Sequence, residues 1–560
     1  MMPTPPEDCR AGHDALLRAA WPEARDAFTA ALAARESPEA LEGLGLAAWW
    51  LDLADVLFAA RERAYTLYRE RGDETGAARV AVWLAWDYWA FRGESAVASG
   101  WLQRARRLLE HAPPSAERAW LEVREGSLCL YEDHDPERAH ALATEGVRLA
   151  RAAGDTDMEL LGRAVQGLAL VMSGAVAEGM RALDEVNAAV VAGEVRDFVA
   201  IALACCYMVA ACEHVRDYDR AVQWCTRLKA FCARYGMRPL FAVCRTQYAS
   251  ICMWRGTWLE AEEELSAAAD ELEATRPAMT GDAIVRLGEL RRRQGRLVDA
   301  ARLFDQADGH PLALLGRAEL ALDRGDARAA AELAERYLRR LPQQNRTDRA
   351  PGLDLLVRAL AKSSDLDGAR TAFAELSAIA TLMMTGALRA MASRAAGWIA
   401  LAAGQPDEAR RHLEDALDGF VQGGAPFEIA ASRIGLARAL ALLGRDTDAA
   451  IEARRAVDLF VELKAEFQLA QARELLVTLS DTHAAPAAVL TPPSTGADLT
   501  RREIEVLRLV ADGLNNQAIG ERLFVSDHTV HRHLANIFNK LSVSSRAAAV
   551  AQAARRGLLL

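Results

Sequence analysis

The sequence predicts an all-α protein, with a long solenoid of stacked helix pairs followed by a small domain of four helices. Three observations carry this prediction. Hydrophobic residues make up 51% of the 560 residues but aromatic residues only 6%, which is typical of Ala- and Leu-rich helices. A motif of small and large residues recurs between residues 12 and 480. The last sixty-odd residues instead contain short amphipathic helices with capping signals.

The recurring motif is clearest in the stretch LGELRRRQGRLVDAARLFDQA. Its positions combine a helix glycine, a turn glycine, and small residues alternating with large ones: Gly288, Gly295, Leu297, Ala300, Phe304 and Ala307. A second copy has the same offsets at Gly397, Gly404, Ala409, Leu413 and Ala416. Small residues allow two antiparallel helices to approach closely, and the larger Leu or Phe fills the gap to the next pair.

This pattern resembles the tetratricopeptide repeat. Turn glycines at positions 256, 295, 325, 404 and 444 indicate a period of about 30 to 40 residues, and we expect roughly eleven helix pairs within residues 1–480. The resemblance implies a right-handed superhelix with a concave surface. Such surfaces bind partners, so residues 1–480 are predicted to be a sensor or interaction region for a protein, peptide or small-molecule effector.

Two features of the repeat region are candidate parts of a binding site. Six of the twelve tryptophans lie in the Trp-rich region 49–101: Trp49, Trp50, Trp83, Trp86, Trp89 and Trp101. They predict either an aromatic cup for a ligand or bulky packing between helix layers, and packing is the favoured interpretation. The run Arg291 to Arg293 is interpreted as a solvated helix end.

Composition excludes several other classes of protein. We expect no apolar run of 18 residues and no signal peptide, and therefore no membrane contact and a cytoplasmic location. Seven of the nine cysteines lie between Cys205 and Cys252 without a CxxC pair, which favours reduced packing residues over a zinc site with His214. No GxxxxGK[ST] loop, GxSxG or HExxH motif is present, so no enzyme, cofactor or metal site is predicted.

Residues 481–497 read DTHAAPAAVLTPPSTGA and predict a Pro-rich linker. The formal net charge is −11, but it is distributed unevenly. From residue 497 onward nine Lys or Arg stand against six Asp or Glu, a charge of +3 that leaves −14 for the preceding residues. The acidic region should avoid nucleic acid and leave it to the tail.

The tail, residues 498–560, begins with a predicted capping box of Thr500 and Glu503. Behind it, a helix from 501 to 511 buries Ile504, Leu507 and Val510, and Gly513 ends it. A second helix runs from Asn515 to Leu523, with Ile519 and Leu523 directed inward. A third helix, capped by Ser526 or Asp527, runs to about Leu541. The short turns between these helices predict a helix-turn-helix.

The third helix has two faces at about 100° per residue. Its buried seam is predicted to consist of Val530, Leu534, Ile537 and Leu541. The outer face carries no carboxylate and consists of His528, His531, Arg532, Ala535 and Asn539. Such a face can enter a major groove, where Arg grips guanine and a small residue permits close approach. Thr529, His533 and Lys540 could hold phosphates on one side.

The tail strongly resembles the C-terminal DNA-binding domain of LuxR-type bacterial transcription regulators. The matching pieces are LTRREIEVLRLVADG, NNQAIGERL, VSDHTVHRHLANIFNKL and SSRAAAVAQA. The resemblance implies that the third helix is the recognition helix, and that His531, Arg532 and Ala535 approach bases. It also implies a fourth helix from 545 to 555 that dimerises the protein on double-stranded promoter DNA, although packing on the first helix is an equal alternative. Ala518 and Gly520 depart from the family pattern and suggest a looser second helix.

These observations predict a DNA-binding transcription regulator controlled by its repeat region, with RNA polymerase as a further candidate partner. The alternative is a helical-repeat adaptor that recruits a partner, with the tail only localising it. Deleting the solenoid separates these two hypotheses, because only a regulator controlled by the repeats should change its promoter output.

Overall fold

The computed structural model describes residues 7–235 and 238–481. In the tail it describes residues 499, 501–511, 514, 516–523, 530, 533, 534, 537, 540, 541, 543 and 546–555. All regular structure in these described ranges is helical, which confirms the all-α prediction. The chain divides into two compact units, Met1–Ser480 and Asp481–Leu560.

The first unit is a stack of α-helices joined by short turns. Its helices are α1 (Arg10–Leu17), α2 (Trp21–Ala34), α3 (Pro38–Trp50), α4 (Ala54–Glu70), α5 (Glu74–Asp87), α6 (Ser95–Leu108), α7 (Ala116–Leu128), α8 (Pro136–Ala153), α9 (Thr156–Ser173), α10 (Val176–Ala192), α11 (Phe198–Val215), α12 (Tyr218–Tyr235), α13 (Arg238–Arg255), α14 (Trp258–Thr275), α15 (Thr280–Arg293), α16 (Leu297–Gln306), α17 (Pro311–Asp323), α18 (Ala327–Arg339), α19 (Arg346–Lys362), α20 (Leu366–Met383), α21 (Gly386–Ala402), α22 (Pro406–Gln422), α23 (Pro426–Leu442), α24 (Asp446–Leu463) and α25 (Glu466–Asp481). π-helical turns extend α5 at Tyr88–Arg92 and α7 at Cys129–Asp133, and a 3₁₀ turn at Pro277–Met279 precedes α15.

Each odd-numbered helix pairs with the even-numbered helix that follows it, and this confirms the tetratricopeptide-like solenoid. In the described residues the first 24 helices form twelve pairs, one more than expected from sequence, and α25 follows them. The turn inside every pair contains a residue with positive φ: Ala19, Asp52, Gly93, His134, Gly174, Arg216, Gly256, Gly295, Gly325, Ser364, Gly404 and Gly444. Five of the twelve are not glycine, so the glycine signal alone misses those pairs.

The small residues of the motif allow the close helix packing that was predicted for them. A Cβ atom added to Gly288 in α15 would lie 2.7 Å from the Phe304 ring of α16. At Gly397 in α21 it would lie 2.7 Å from Leu413 of α22. Phe304 and Leu413 are almost fully buried, so each large side chain fills the space that the opposing glycine leaves open.

The stack curves back on itself, so that helices distant in sequence contact each other. Arg276 donates to the Asp52 carboxylate at 3.0 Å, across 224 residues of chain. The Trp254 indole donates to the Gly423 carbonyl at 3.1 Å, across 169 residues. A Cβ atom on the turn residue Gly295 would lie 2.7 Å from the Phe467 amide nitrogen. Successive turns of the superhelix therefore touch, and they enclose an interior space.

Helix α11 corrects one expectation. It is an 18-residue window of mean hydropathy 1.9, whereas the sequence was expected to contain no apolar run of that length. In the described part of the chain it is the single helix long and apolar enough to cross a membrane, and 83% of the window is buried inside the repeat region. Its contacts with α9, α10, α12 and α13 explain this composition, because a helix covered on every side needs no polar face.

The cysteine-rich stretch belongs to the same apolar layer. The eight cysteines that the structure describes are free thiols, and six of them are buried: Cys9, Cys129, Cys205, Cys206, Cys212 and Cys252. Burial raises the pKa of Cys212 and of Cys129, the latter to about 12. Cys212 and Cys129 are therefore protonated, apolar packing groups at neutral pH.

The second unit contains α26 (Arg501–Ala511), α27 (Asn516–Leu523) and α28 (Arg546–Arg555). Between α27 and α28 the described residues 530, 533, 534, 537, 540 and 541 are helical. Together these segments enclose a separate small core whose buried members are Leu499, Val506, Leu507, Ile519, Val530, Leu534, Ile537, Leu541, Ala549 and Ala553.

Candidate nucleic-acid interface and interior chamber

The inner face of the third tail helix is formed by the four residues of the predicted seam. Val530 and Ile537 are fully buried, and Leu534 and Leu541 are at most 4% exposed. Ile519 of α27 is also fully buried against this core, whereas Leu523 is half-buried. One stripe of the third helix is therefore buried in the core that it shares with α26 and α27.

Six of the predicted DNA-contacting residues lie outside the described residues: His528, Thr529, His531, Arg532, Ala535 and Asn539. The other two are described. His533 is half-buried beside the seam. Lys540 is in the last turn of the helix and is also half-buried. The base-reading and phosphate-holding roles of all eight remain predictions.

Lys540 makes an ion pair that the sequence analysis missed. Its Nζ lies 2.8 Å from Oε2 of Glu503, whose side chain is only 5% exposed. Glu503 was predicted to cap α26 together with Thr500, which lies outside the described residues; the structure places the Glu503 carboxylate against the third helix. The pair links these two helices, and it makes Lys540 a structural residue as well as a candidate phosphate ligand.

Arg502 is a second linking residue that sequence reasoning overlooked. Its guanidinium donates to the Leu523 carbonyl at 2.7 Å and to Glu505 at 2.8 Å. The carbonyl at the end of α27 has no partner within its own helix, so Arg502 satisfies it and holds α27 against α26. An arginine next to a helix end is the only available sequence signal, and it is weak.

Helix α28 packs on α26 in the described part of the tail. Ala549 and Ala553 are fully buried in the small core, whereas Ala554 is exposed. One face of this alanine-rich helix is thus occupied by intramolecular packing, as the alternative interpretation has it. A dimer contact would have to use another face.

In the repeat region, the tryptophans divide between packing and an interior chamber. The chamber has a volume of about 1250 Å³ and is lined mainly by the odd-numbered helices. Trp49, Trp86 and Trp89 lie on its wall beside Tyr131, and the Trp86 and Trp89 rings are 4.8 Å apart. Trp83 instead packs against Trp120 and lies under the Arg61 guanidinium. The Trp-rich region therefore contributes both packing and a cavity wall.

The arginine run corrects the interpretation of a solvated helix end. Arg292 is 4% exposed and reaches Glu289 at 2.8 Å and Asp323 at 2.6 Å. Arg293 lies 2.7 Å from Glu289 and 3.3 Å from Glu428. Glu289 is a local partner within α15, but Asp323 lies 31 residues from Arg292 and Glu428 lies 135 residues from Arg293, so local sequence gave no sign of these two pairs.

These two arginines belong to a closed ring of ion pairs on the chamber wall. The ring joins α15, α17, α19, α21 and α23 through eight residues: Glu289, Arg292, Glu319, Arg358, Asp354, Arg394, Glu428 and Arg293. Burial would raise the pKa of Glu289, but the guanidiniums of Arg292 and Arg293 outweigh it and hold the pKa at about 2. In the same way Arg394 and Arg293 hold the pKa of Glu428 at about 2. Glu289 and Glu428 are therefore ionised at neutral pH.

A second polar cluster joins successive turns of the superhelix. Asp348 of α19 lies 3.5 Å from Nδ1 of His134 and 3.2 Å from Nδ1 of His214. Asn345 donates to both the His134 carbonyl and Asp348. Burial opposes charge on His214, but the Asp348 carboxylate outweighs it and raises its pKa. We call these four residues the Asp348 clasp.

Comparison with known proteins identifies the tail. Residues 497–553 match the model of the family "Bacterial regulatory proteins, luxR family". The transcriptional regulatory protein DegU of Brevibacillus brevis is 48% identical over 59 residues, which are 10% of this chain and 25% of DegU. LiaR of Bacillus subtilis is 48% identical over 61 residues, which are 11% of this chain and 29% of LiaR. The chain thus spans less than a third of the length of these relatives.

Among solved structures, this chain is similar to a chain of the APC/C hetero-tetramer Cut9-Hcn1, with a TM-score of 0.47 and 14% sequence identity. The alignment covers 85% of this chain and 91% of that one. The helix pairs described above and the match over the tail lead to one conclusion. The chain carries a domain of the luxR family of bacterial regulatory proteins at residues 497–553, together with a tetratricopeptide-like repeat region.

Proposed function

We propose that this protein is a sequence-specific, DNA-binding transcription regulator whose output is controlled by its repeat region. The observation that carries the proposal is the luxR-family match over residues 497–553, together with a third helix that buries one stripe in a separate core. Because that core holds the inner stripe, the outer stripe can enter a major groove. The protein then acts in the cytoplasm, without catalytic chemistry of its own.

Within the tail, Arg532 is the candidate for reading a base, since a guanidinium can pair bidentately with guanine. His531 and Ala535 approach the neighbouring bases, and His528 and Asn539 extend the same face. Thr529, His533 and Lys540 hold phosphates and set the position of the helix. A homodimer would place two such helices about 34–36 Å apart, one DNA turn, over an inverted repeat.

The control function is assigned to residues 1–480, with residues 481–497 as a tether to the reader domain at 498–560. The enclosed chamber supports a small effector, because 1250 Å³ is close to the range of small-molecule sites and the wall combines rings with charged groups. Effector binding would change how the tail engages promoter DNA or RNA polymerase.

The test is selection of genomic DNA fragments by the purified full-length protein, by Arg532→Ala and by Arg522→Ala. We expect one enriched inverted repeat with the wild type. Arg532→Ala should lose about 1–3 kcal/mol of specific binding and the motif with it. Arg522 is an exposed arginine outside the third helix, so its variant should retain the motif.

Two outcomes would contradict the proposal. Equal effects of Arg532→Ala on the selected motif and on random DNA would remove its base-reading role. Motif-free binding by both the full chain and residues 498–560 would mean that the tail only localises the protein, and the adaptor hypothesis would then replace the regulator.

A further inference from the structure

Arg216 differs from the other arginines on the chamber wall. Seven arginines line the chamber, and six of them contact a carboxylate: Arg276, Arg286, Arg292, Arg293, Arg358 and Arg394. Within the described part of the chain, Arg216 has one hydrogen bond, from its guanidinium to the Tyr218 hydroxyl at 3.1 Å. The nearby Glu213 carboxylate contacts Arg286 instead.

Arg216 occupies a turn position at which glycine is the more common residue in this fold. Arg216 is the turn residue between α11 and α12 and has a φ of 60°, in the left-handed region. Seven of the twelve turns of this kind have glycine at the same place, which adopts this conformation without strain. The guanidinium is half-buried, and of its five N–H donors the described part of the chain uses one. A desolvated cation with unused donors is stabilised when an anion binds to it.

An aromatic cluster lies to one side of the Arg216 guanidinium. The Arg216 guanidinium carbon lies 5.5 Å from the centre of the Trp254 ring. Tyr218 and Phe420 pack on that ring with centroid distances of 5.4 and 6.2 Å. All three aromatic residues lie at the chamber wall, but Tyr218 and Phe420 are only 2% and 1% exposed, so Trp254, at 7%, offers the ring surface and the other two support it. A ligand that reaches Arg216 therefore has an apolar surface beside its charged group, and the hydrogen bond to Tyr218 holds the guanidinium in place before binding.

We propose that the chamber binds a small organic anion whose oxyanion group, carboxylate or phosphate, pairs with Arg216 and whose apolar body packs on the Trp254 ring. This inference rests on the proposed function, since it names the class of effector that the repeat region takes. The acidic groups of the wall do not oppose it strongly, because those of the ring and of the Asp348 clasp are paired with arginine or histidine.

The test uses four small probes that share one phenyl ring, with the full-length protein: benzoate, phenyl phosphate, neutral benzamide and cationic benzylamine. Dissociation constants are measured by calorimetry for the wild type, Arg216→Gly, Arg216→Lys and Arg324→Gln. Arg324 is an exposed arginine at the end of α17 and serves as the control. Glycine suits the turn, so Arg216→Gly should unfold at a temperature no lower than the wild type.

We expect the wild type to bind benzoate or phenyl phosphate at least about tenfold more tightly than benzamide, and the tighter of the two identifies the oxyanion. Arg216→Gly should weaken that binding by about 10- to 100-fold, the value of a charge-assisted hydrogen bond. The affinity of Arg216→Lys should lie between those of the wild type and Arg216→Gly, because lysine keeps the positive charge but cannot make the bidentate hydrogen bonds of a guanidinium. Arg324→Gln should bind like the wild type.

Three results would overturn the inference: no anion binding by the wild type, equal affinity in Arg216→Gly, or preference for benzylamine. A lower unfolding temperature of Arg216→Gly with unchanged affinity would make Arg216 a structural residue. The fragment selection described above is a separate readout. If the protein selects a DNA motif but binds no anion, the DNA-binding function stands and this inference is wrong. If it binds an anion but selects no motif, the anion site stands and the proposed DNA-reading function is wrong.

Discussion

At the scale of single residues, the Lys540 ammonium group combines a structural ion pair with a predicted DNA contact. It is a candidate phosphate ligand, and its Nζ lies 2.8 Å from the buried Glu503 carboxylate. An ammonium group has three donors, so it can contact both Glu503 and a phosphate. The pair would then present Lys540 at a fixed position beside the DNA backbone, which lowers the entropy cost of that contact.

We predict that Lys540→Ala weakens DNA binding and also destabilises the tail. Glu503 would keep its buried carboxylate without the lysine, at a cost of about 1–3 kcal/mol. Losing one phosphate contact should also reduce the slope of log K against log salt by about one unit. Thermal unfolding and binding at several salt concentrations measure the two effects. Lys540→Ala in a Glu503→Gln background is the control. Relative to Glu503→Gln alone, it should show the same reduction in the salt slope but little loss of stability. An unchanged slope would exclude the phosphate contact.

Residue spacing predicts some parts of the tail better than others. Helical spacing places Val530, Leu534, Ile537 and Leu541 on one stripe, and all four are buried. The same reasoning selected Ile504, Leu507 and Val510 in α26 but missed Val506, which is fully buried. Helix α26 contacts both α27 and α28, so its apolar stripe is wider than a single seam.

At the scale of helix pairs, a glycine opposite a large side chain sets the helix separation. We predict that Gly288→Ala destabilises the repeat region by about 1–3 kcal/mol, because its Cβ would overlap the buried Phe304 ring. Gly281→Ala in the same helix is the matched control. Its Cβ would lie 3.6 Å from His310, an ordinary contact, so the gain in helix propensity should leave stability equal or higher by up to about 1 kcal/mol. Denaturant unfolding measures both, and equal midpoints would show that α15 and α16 can separate freely.

The Asp348 clasp makes the contact between superhelical turns depend on pH. The raised pKa of His214 stabilises the fold below pH 6.5, its ordinary value, and this contribution is lost as pH rises through the raised value. The pKa of Asp348 is held well below 3.8, burial being outweighed by the two histidines, so its contribution is present above pH 3.8. The clasp is therefore strongest on the acidic side of neutrality.

We predict that the unfolding temperature of the wild type falls more between pH 6 and pH 9 than that of His214→Asn. Each unit by which the pKa of His214 is raised corresponds to about 1.4 kcal/mol of this difference. Glu213 and Arg216 also face His214 and are present in both proteins, so they cancel in the comparison. His412→Asn is the control, because His412 lies on the exposed side of α22. Parallel pH curves for wild type and His214→Asn would show that the clasp contributes nothing to folding.

At the scale of the whole repeat region, the sequence predicts the repeat period. It does not predict that the superhelix curves back so that helices distant in sequence touch. The repeat offsets are local, and they identify helix pairs wherever turn glycines are present. This curvature depends on small rotations between neighbouring helix pairs, summed over several pairs. The contacts that it creates join residues 169 to 227 positions apart. The chamber and the ring of ion pairs both arise from this curvature. The interpretation of Arg291 to Arg293 as a solvated helix end was wrong because the curvature of the whole repeat region places them against helices that are distant in sequence.

The uneven charge of the chain gives a prediction for the whole protein. Residues before 497 carry −14 and the remainder +3, so DNA repels the larger part and attracts the smaller. At low ionic strength this repulsion extends over about 30 Å, whereas at physiological salt it extends over about 8 Å. We therefore expect residues 498–560 to bind promoter DNA at least about threefold more tightly than the full chain in 10 mM salt, with the difference vanishing near 150 mM.

Fluorescence anisotropy with one promoter fragment at both salt concentrations measures this difference. Dimerisation confounds the comparison if only the full chain dimerises, so both proteins are assayed over a range of concentrations. A chain with Asp and Glu of the exposed face of α14 changed to Gln, at Glu260, Glu263 and Asp270, lowers the acidic charge without altering the tail. Its affinity should move toward that of residues 498–560. If the three proteins bind alike in 10 mM salt, the acidic region does not reach the DNA, and control by the repeat region must act through the effector alone.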